Sequence, residues 1–301
     1  EWLTGQSQYV PNVSLSPVVQ QLFEQALMSP GFSSAEAFAQ AWQEVLTAAM
    51  PPKAVDHHLG QSTDTGVART LNEDSLFTMQ INKYLESAPH PLGVYAVADG
   101  MGGHAAGEVA SGAIVNTIAQ KSLSELAVSP GLISPEERRK WIGDAIQEAN
   151  KVVFDMGRKT GSDMGSTVVM AVLEGNVLHV GHVGDSRAYR INEQGVEALT
   201  IDHSLVERLV ATNQITRQEA RLHPQRNVIY RTLGDKSALD VDTATHTLEV
   251  GDRLLLCSDG LNGMIEDEVI QQIIMEQSTS PQDACALLVE AANAAGGDDN
   301  I

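Results

Sequence analysis

The chain has 301 residues, 43% of them apolar, enough for a sizeable core in one large domain or in a domain with an appendage. Its 19 Lys and Arg against 39 Asp and Glu leave a formal charge of -20, which argues against a nucleic-acid binder or a protein drawn to anionic membranes and suits divalent cations. Two cysteines in apolar runs read as buried small hydrophobes of a reducing compartment, no apolar run reaches the about 18 residues of a membrane span, and no signal-peptide pattern opens the chain, so a cytoplasmic location is expected.

Residues 14 to 48 predict two short helices separated by the breaker "SPGF"; in the second, Ser33 precedes Glu36 at capping-box spacing and Phe38, Trp42 and Leu46 share a face. The polar, proline-paired run "MPPKAVDHHLGQSTDTG" then marks a boundary, with a helical extension at 1–50 and a second domain at 51–301. A strand at about 92 to 98, "LGVYAVA", leads into a glycine-rich stretch and a helix from about 107 to 127. A second helix opens on Ser134, Pro135 and Glu137 and turns Ile142, Ile146, Ala149 and Val153 inward. The runs "STVVMAVL", "NVLHVGHV" and "SRAYRI" predict an antiparallel meander. Residues 203 to 235 interrupt it with two amphipathic pieces, one capped by Thr216 with Glu219, before "ALDVDTATHTLEV" and "RLLLCSDG" resume the strands. Two helices, "DEVIQQIIM" and "SPQDACALLVEAAN", precede the terminal "GGDDNI". Blocks of strands and helices of this kind point to an α+β arrangement.

Acidic residues at strand ends recur beside apolar segments: Glu73 and Asp74 in "RTLNEDSLF", Asp99 in "VADGMGG", Asp259 in "CSDGL", and Asp298 and Asp299 in "GGDDNI". One such aspartate alone is a turn or cap residue. A set spread along the chain is the kind of hard-oxygen donor set that Mg²⁺ or Mn²⁺ requires.

The segments "RTLNED", "VADGMGGHAAGE", "DMGST", "VGDSRAYR" and "CSDGL…GGDDNI", in this order, closely resemble the PPM or type 2C metal-dependent serine/threonine protein phosphatases in their compact bacterial form, over about residues 56 to 301. The resemblance implies an α-β-β-α sandwich of two antiparallel sheets flanked by helices, with hydrolysis of phosphoserine or phosphothreonine by a metal-activated water. It implies two Mg²⁺ or Mn²⁺ ions bridged by Asp99, with the Gly100 carbonyl on one and Asp259 and Asp299 on the other. Glu73 and Asp74 bind mainly through metal-bound waters, and Arg69 grips the substrate phosphate. Asp163 matches the position of a third, weaker metal, shared with Asp259. His104 stands between two readings, a helix-start histidine satisfied by backbone and a proton donor to the leaving oxygen. Asp185 is given a structural turn role, and His57, His58, His203 and His223 are read as exposed polar residues.

The resemblance also makes residues 203 to 235 a variable flap beside the site, with five arginines suited to acidic or phosphorylated segments. A phosphorylated protein is the implied substrate, in bacterial signalling. The N-terminal "WLTGQ…SPVVQQLFEQALMSP…SSAEAFAQAW" is similar to the last helices of a Hanks-type kinase C-lobe, except that Gly31 and Phe32 follow Met28-Ser29-Pro30 where an Asp-Pro with a following Arg is usual. It is either a kinase-like remnant, which makes a Ser/Thr kinase a partner, or a pair of docking helices. A rival to the enzyme is a non-catalytic phosphoprotein-binding module on the same fold; a phosphatase of small metabolites suits a site with a long flap less well.

Overall fold

The computed structural model describes residues 24–26, 31–49, 57–85, 88–102, 106–127 and 133–301. The chain divides into two units, Glu1–Ala54 and Val55–Ile301. In the first, helix α1 (Ala35–Ala49) starts after Ser34, whose hydroxyl accepts the Ala37 N–H at 3.1 Å. The cap is therefore Ser34 rather than Ser33, because the helix begins one residue later than the capping-box spacing implied. The rings of Phe32 and Phe38 meet edge to face, 5.3 Å apart. Most of the predicted helix before it, and with it most of the kinase-like stretch, lies outside the described residues.

The second unit holds two antiparallel sheets. Strands β1 (Asp74–Leu85), β2 (Ala88–Met101), β3 (Gly165–Ser166), β4 (Val168–Glu174), β5 (Val177–Val183) and β8 (Asp242–Thr247) form the larger, in the order β1-β2-β4-β5-β8 with β3 paired to β2. Strands β6 (Arg187–Asn192), β7 (Gly195–Ala198) and β9 (Arg253–Cys257) form the smaller, in the order β7-β6-β9. Strand β2 extends the strand expected at about 92 to 98 at both ends, whereas its hairpin partner β1 and the short β7 were not read as strands, since no turn signal of the Asn-Gly kind joins either to its neighbour in the sequence.

Side-chain alternation along each strand builds three apolar layers. Val168, Met170 and Val172 of β4 face helices α2 (Ala106–Lys121) and α3 (Pro135–Thr160), meeting Ile114, Ile118, Ile142 and Ile146. Their neighbours Val169, Ala171 and Leu173 point the other way, against Ala188 and Leu256 of the smaller sheet. Tyr189 and Ile191 of β6 then turn outward onto Ile270, Ile273, Leu288 and Ala292, from α7 (Asp267–Gln272), the π-helical turn Ile273–Gln277 and α8 (Pro281–Ala294). These layers are the three interfaces of an α-β-β-α sandwich, as the resemblance implied. Each fully buried isoleucine contributes roughly 1.5–3 kcal/mol.

Helix α3 starts as the sequence indicates: the Ser134 hydroxyl accepts the Glu137 N–H at 3.2 Å while the Glu137 carboxylate accepts the Ser134 N–H at 2.8 Å, with Pro135 in the first turn. It ends on Gly161 in the left-handed region. The 203–235 excursion carries the short helices α4 (Leu205–Ala211) and α5 (Arg217–Arg221), the latter closed by the expected Thr216–Glu219 box. Helix α6 (Asp259–Asn262) follows β9 directly.

Candidate metal centre

Of the carboxylates singled out in the sequence, Glu73, Asp74, Asp99, Asp259 and Asp299 converge on one another. Asp74, the first residue of β1, lies opposite Asp99 near the end of β2, because the hairpin register pairs them. Asp259 opens α6 at the end of β9, and Asp299 comes from the terminal segment. Burial and like charge then act together. Asp74 is pushed up to about 7, chiefly by burial, with Asp259, Asp299 and Glu73 adding to the shift and a 2.6 Å hydrogen bond from the Ser258 hydroxyl opposing it. Asp259 is pushed up to about 6 by burial and by Asp299, against a hydrogen bond with Asp99 and the charge of Arg69. Asp99 is raised well above the carboxylate range by burial, then by Asp259 and Asp74.

The backbone around these groups is fixed from several sides. The Asp99 N–H donates to the Thr167 hydroxyl at 3.2 Å, and the Thr167 N–H donates to the Asp99 carbonyl at 2.9 Å. Gly100 donates to the Glu73 carbonyl at 3.1 Å, and a Cβ there would stand 2.1 Å from the Gly107 carbonyl oxygen. Only glycine permits that approach. Asn300 ties the terminal segment to the loop before β1, accepting the Glu73 N–H at 2.8 Å and donating to the Thr65 and Leu71 carbonyls, each at 2.9 Å.

At the rim, Arg69 donates to the Asp299 carboxylate at 2.7 Å and remains about half exposed. It pairs with Asp299 rather than with Glu73 or Asp74. Glu73 is half-buried, and a Cβ at Gly107 would stand 2.4 Å from its carboxylate Oε1. Asp163 stands apart, its side chain exposed and its carbonyl against Gly102. His104 lies outside the described residues.

The structure gives Asp185, read from the sequence as a structural turn residue, a place beside the cluster, and adds groups to which the sequence reading assigned no role. Asp185 is buried, follows Gly184 at φ 110°, and is pushed up to about 7 by burial and by Asp259 and Asp202. Ser258, Thr167 and Asn300 hold the carboxylates or their backbone; their signal in the sequence was membership of the quoted motifs "CSDGL", "DMGST" and "GGDDNI". His203 is buried at 3% exposure, contrary to its reading as a surface histidine, because both its backbone and its ring are fully engaged.

Two donor sets can therefore be compared. His182, His203 and Asp242 place ligand atoms within 4.8 Å of one another. Yet Arg231 Nη1 already sits among them, 2.7 Å from Asp242 Oδ1 and 3.0 Å from His203 Nε2, and His203 Nδ1 accepts the Gly184 N–H, which leaves the ring proton on Nε2. That set has its cation. The strand-end carboxylates have none at their centre: among the described residues Asp259 Oδ1 is buried without a hydrogen-bond partner, and Arg69 reaches only the rim. Clustered hard oxygens with an orphaned buried atom fit Mg²⁺ or Mn²⁺.

Residues 60–301 match the protein phosphatase 2C family. The chain is 35% identical over 246 residues to the serine/threonine phosphatase stp of Listeria monocytogenes, an alignment covering 81% of this chain and 93% of that one. The solved serine/threonine phosphatase of S. agalactiae superposes with a TM-score of 0.69 at 33% identity, over 80% of this chain and 95% of that one. The catalytic domain of the serine/threonine protein phosphatase PstP, solved with 2 manganese ions, superposes at 0.65 with 30% identity, over 79% and 92% of the two chains.

Proposed function

This chain belongs to the protein phosphatase 2C family and is a serine/threonine protein phosphatase, and on that footing we propose that it hydrolyses phosphoserine and phosphothreonine at a centre of two Mg²⁺ or Mn²⁺ ions held by its strand-end carboxylates. Asp99, Asp259, Asp299 and the Gly100 carbonyl would hold the ions directly, and Glu73 and Asp74 would act mainly through their water shell. The observation that carries this reading is the buried, like-charged carboxylate set with the unpartnered Asp259 Oδ1. When bound, the ions supply Lewis acidity, lowering the pKa of water and neutralising charge that develops at phosphorus.

The chain's own groups do the rest. Ser258 orients Asp74, and Thr167 and Asn300 fix the backbone from which Asp99 and Glu73 project. Arg69, exposed at the rim, swings its fork from Asp299 to the substrate phosphate. His104 delivers a proton to the departing seryl or threonyl oxygen. Asp163, exposed outside the buried cluster, would hold a third, weaker ion if one is bound at the edge. Phosphorylated proteins are the substrate class, and a Ser/Thr kinase is a natural opposing partner in a cytoplasmic signalling circuit. Residues 1–50 are a separate helical extension from the phosphatase domain at 51–301.

The test is turnover of an aryl phosphate and a phosphothreonine peptide with Mn²⁺, with EDTA, and with Asp99→Asn. Mn²⁺-dependent hydrolysis of both, abolished by EDTA and by the substitution, supports the reading; wild-type protein that binds Mn²⁺ and hydrolyses neither compound overturns it in favour of a phosphoprotein-binding module.

A further inference from the structure

The 203–235 excursion returns to the sandwich through a zipped stem. The Tyr230 N–H donates to the His203 carbonyl at 2.9 Å, Ser204 bridges Ile229, and the Leu205 N–H donates to the Val228 carbonyl at 2.8 Å. Each arm then joins a turn that borders the carboxylate cluster. On one arm the His203 N–H donates to the Gly184 carbonyl at 2.8 Å while the Gly184 N–H donates back to His203 Nδ1 at 3.0 Å, immediately before the buried Asp185. On the other, Leu233 exchanges hydrogen bonds with Ser166, and Ser166 pairs with Gly100 in the β2-β3 ladder.

One side chain locks these arms together. Arg231 Nη1 reaches Asp242 Oδ1 at 2.7 Å and the Asp240 carbonyl at 3.1 Å, so the returning arm is bonded to β8. His203 Nε2 lies 3.3 Å from Asp242 Oδ2, so the outgoing arm shares the same carboxylate. The His182 ring of β5 stacks on His203 at 4.6 Å and is itself held by donating to the Ile201 carbonyl at 2.8 Å. Tyr230 closes the outer side, its ring 5.9 Å from that of His203. Asp242 thus receives both arms, and Arg231 supplies the positive charge they need.

Resting on the phosphatase reading above, we propose that Arg231, with His203 and Asp242, is a latch that sets the pose of the 204–230 segment, making Arg231 a positioning residue for phosphoprotein substrates. What the segment displays is consistent with contact to a peptide beyond its phosphate. Leu222, Val228 and Tyr230 are exposed, and the side chains of Arg208 and Arg226 make no ion pair among the described residues, whereas Arg217 is paired with Glu207 and Arg221 with Glu266. A small aryl phosphate needs only the carboxylate centre and Arg69. An extended phosphopeptide needs the segment in place as well, so the latch acts on its binding rather than on the chemical step.

The test compares wild type, Arg231→Ala and the milder Arg231→Lys in the full chain, with Asp242→Asn as an independent break of the same contact. Two readouts are made: steady-state kinetics on an aryl phosphate and on a phosphothreonine peptide, and the rate of tryptic cleavage after Arg217, Arg221 and Arg226 in the folded protein. With Arg231→Ala the peptide KM rises about tenfold with kcat changed less than about twofold, aryl phosphate turnover is retained, and cleavage within the segment accelerates at least about fivefold. Arg231→Lys recovers part of both, and Asp242→Asn reproduces the Arg231→Ala pattern. Unchanged cleavage and unchanged peptide KM in Arg231→Ala and Asp242→Asn overturn the latch, as does a loss of aryl phosphate turnover equal to the loss on peptide. Absence of Mn²⁺-dependent turnover in wild type would count against the phosphatase centre instead, and the cleavage rates would still decide the latch.

Discussion

Two charged regions lie side by side in this domain, and they handle their carboxylates in opposite ways. At the base of the 203–235 excursion two acids have an arginine partner: Arg187 forks Asp202 at 2.7 Å through both Nε and Nη2, and Arg231 meets Asp242. At the strand ends Asp74, Asp99, Asp185 and Asp259 are packed together with Arg69 at one edge and Arg187 near Asp185, and all four are raised above the ordinary carboxylate range. A cluster with an internal guanidinium is complete as it folds. A cluster without one is destabilised by its own charges unless protons or a cation are supplied, and that is the physical signature of a metal site.

The contrast can be broken from either side. The largest effect is expected in the self-sufficient region: Arg187→Ala strands the partly buried Asp202, its side chain 10% exposed, and should cost about 3 kcal/mol of stability with or without Mn²⁺, read from chemical denaturation. An equal stability of the variant and wild type would mean that the fork is dispensable. In the other region Asp99→Asn should lower Mn²⁺-dependent turnover by at least about 100-fold while raising the stability of the metal-free chain, because one mutually repelling charge is gone.

The pH dependence sharpens the comparison next. Asp74 and Asp259 have folded pKa values above their unfolded ones, so the stability they confer as neutral acids is full below about pH 4 and is lost as pH rises through about 6 to 7. Mn²⁺ binds the ionised forms, so the rise in Tm on adding Mn²⁺ should be several degrees larger at pH 7.5 than at pH 5. Taking the difference with and without metal at each pH removes the contribution of the buried histidines, whose pKa values burial lowers. An equal rise at both pH values would contradict a carboxylate site. The smallest effect should come far from both regions: Ser134→Ala removes the cap of α3 and costs about 1 kcal/mol, with turnover unchanged.

Much of this arrangement was legible in the sequence because it is local. Alternation in "STVVMAVL" specifies which side chains face the helices and which face the second sheet, and Ser134 with Glu137 specifies where α3 begins. The strand-end aspartates were legible because an acid after an apolar run is costly unless it is employed. What could not be read depends on contacts between distant segments. Asn300 looks like any terminal polar residue until it bonds to the loop before β1, and Asp185 looks like a turn aspartate until β6 sets it beside Asp259. His203 was misread for the same reason. Its burial comes with contacts to Gly184, Arg231 and Asp242, each at a different sequence distance and none periodic with it, and burial itself, followed by the neighbouring His182, lowers its pKa while Asp242 opposes the shift.

The most direct test is calorimetric titration of Mn²⁺ into the EDTA-treated, dialysed protein at pH 7.5, comparing wild type with Asp259→Asn and with His203→Gln. Wild type and His203→Gln should bind Mn²⁺ alike, and Asp259→Asn should lose at least about tenfold in affinity. Affinity lost in His203→Gln and kept in Asp259→Asn would move the metal to the histidine cluster and contradict the assignment of the strand-end carboxylates.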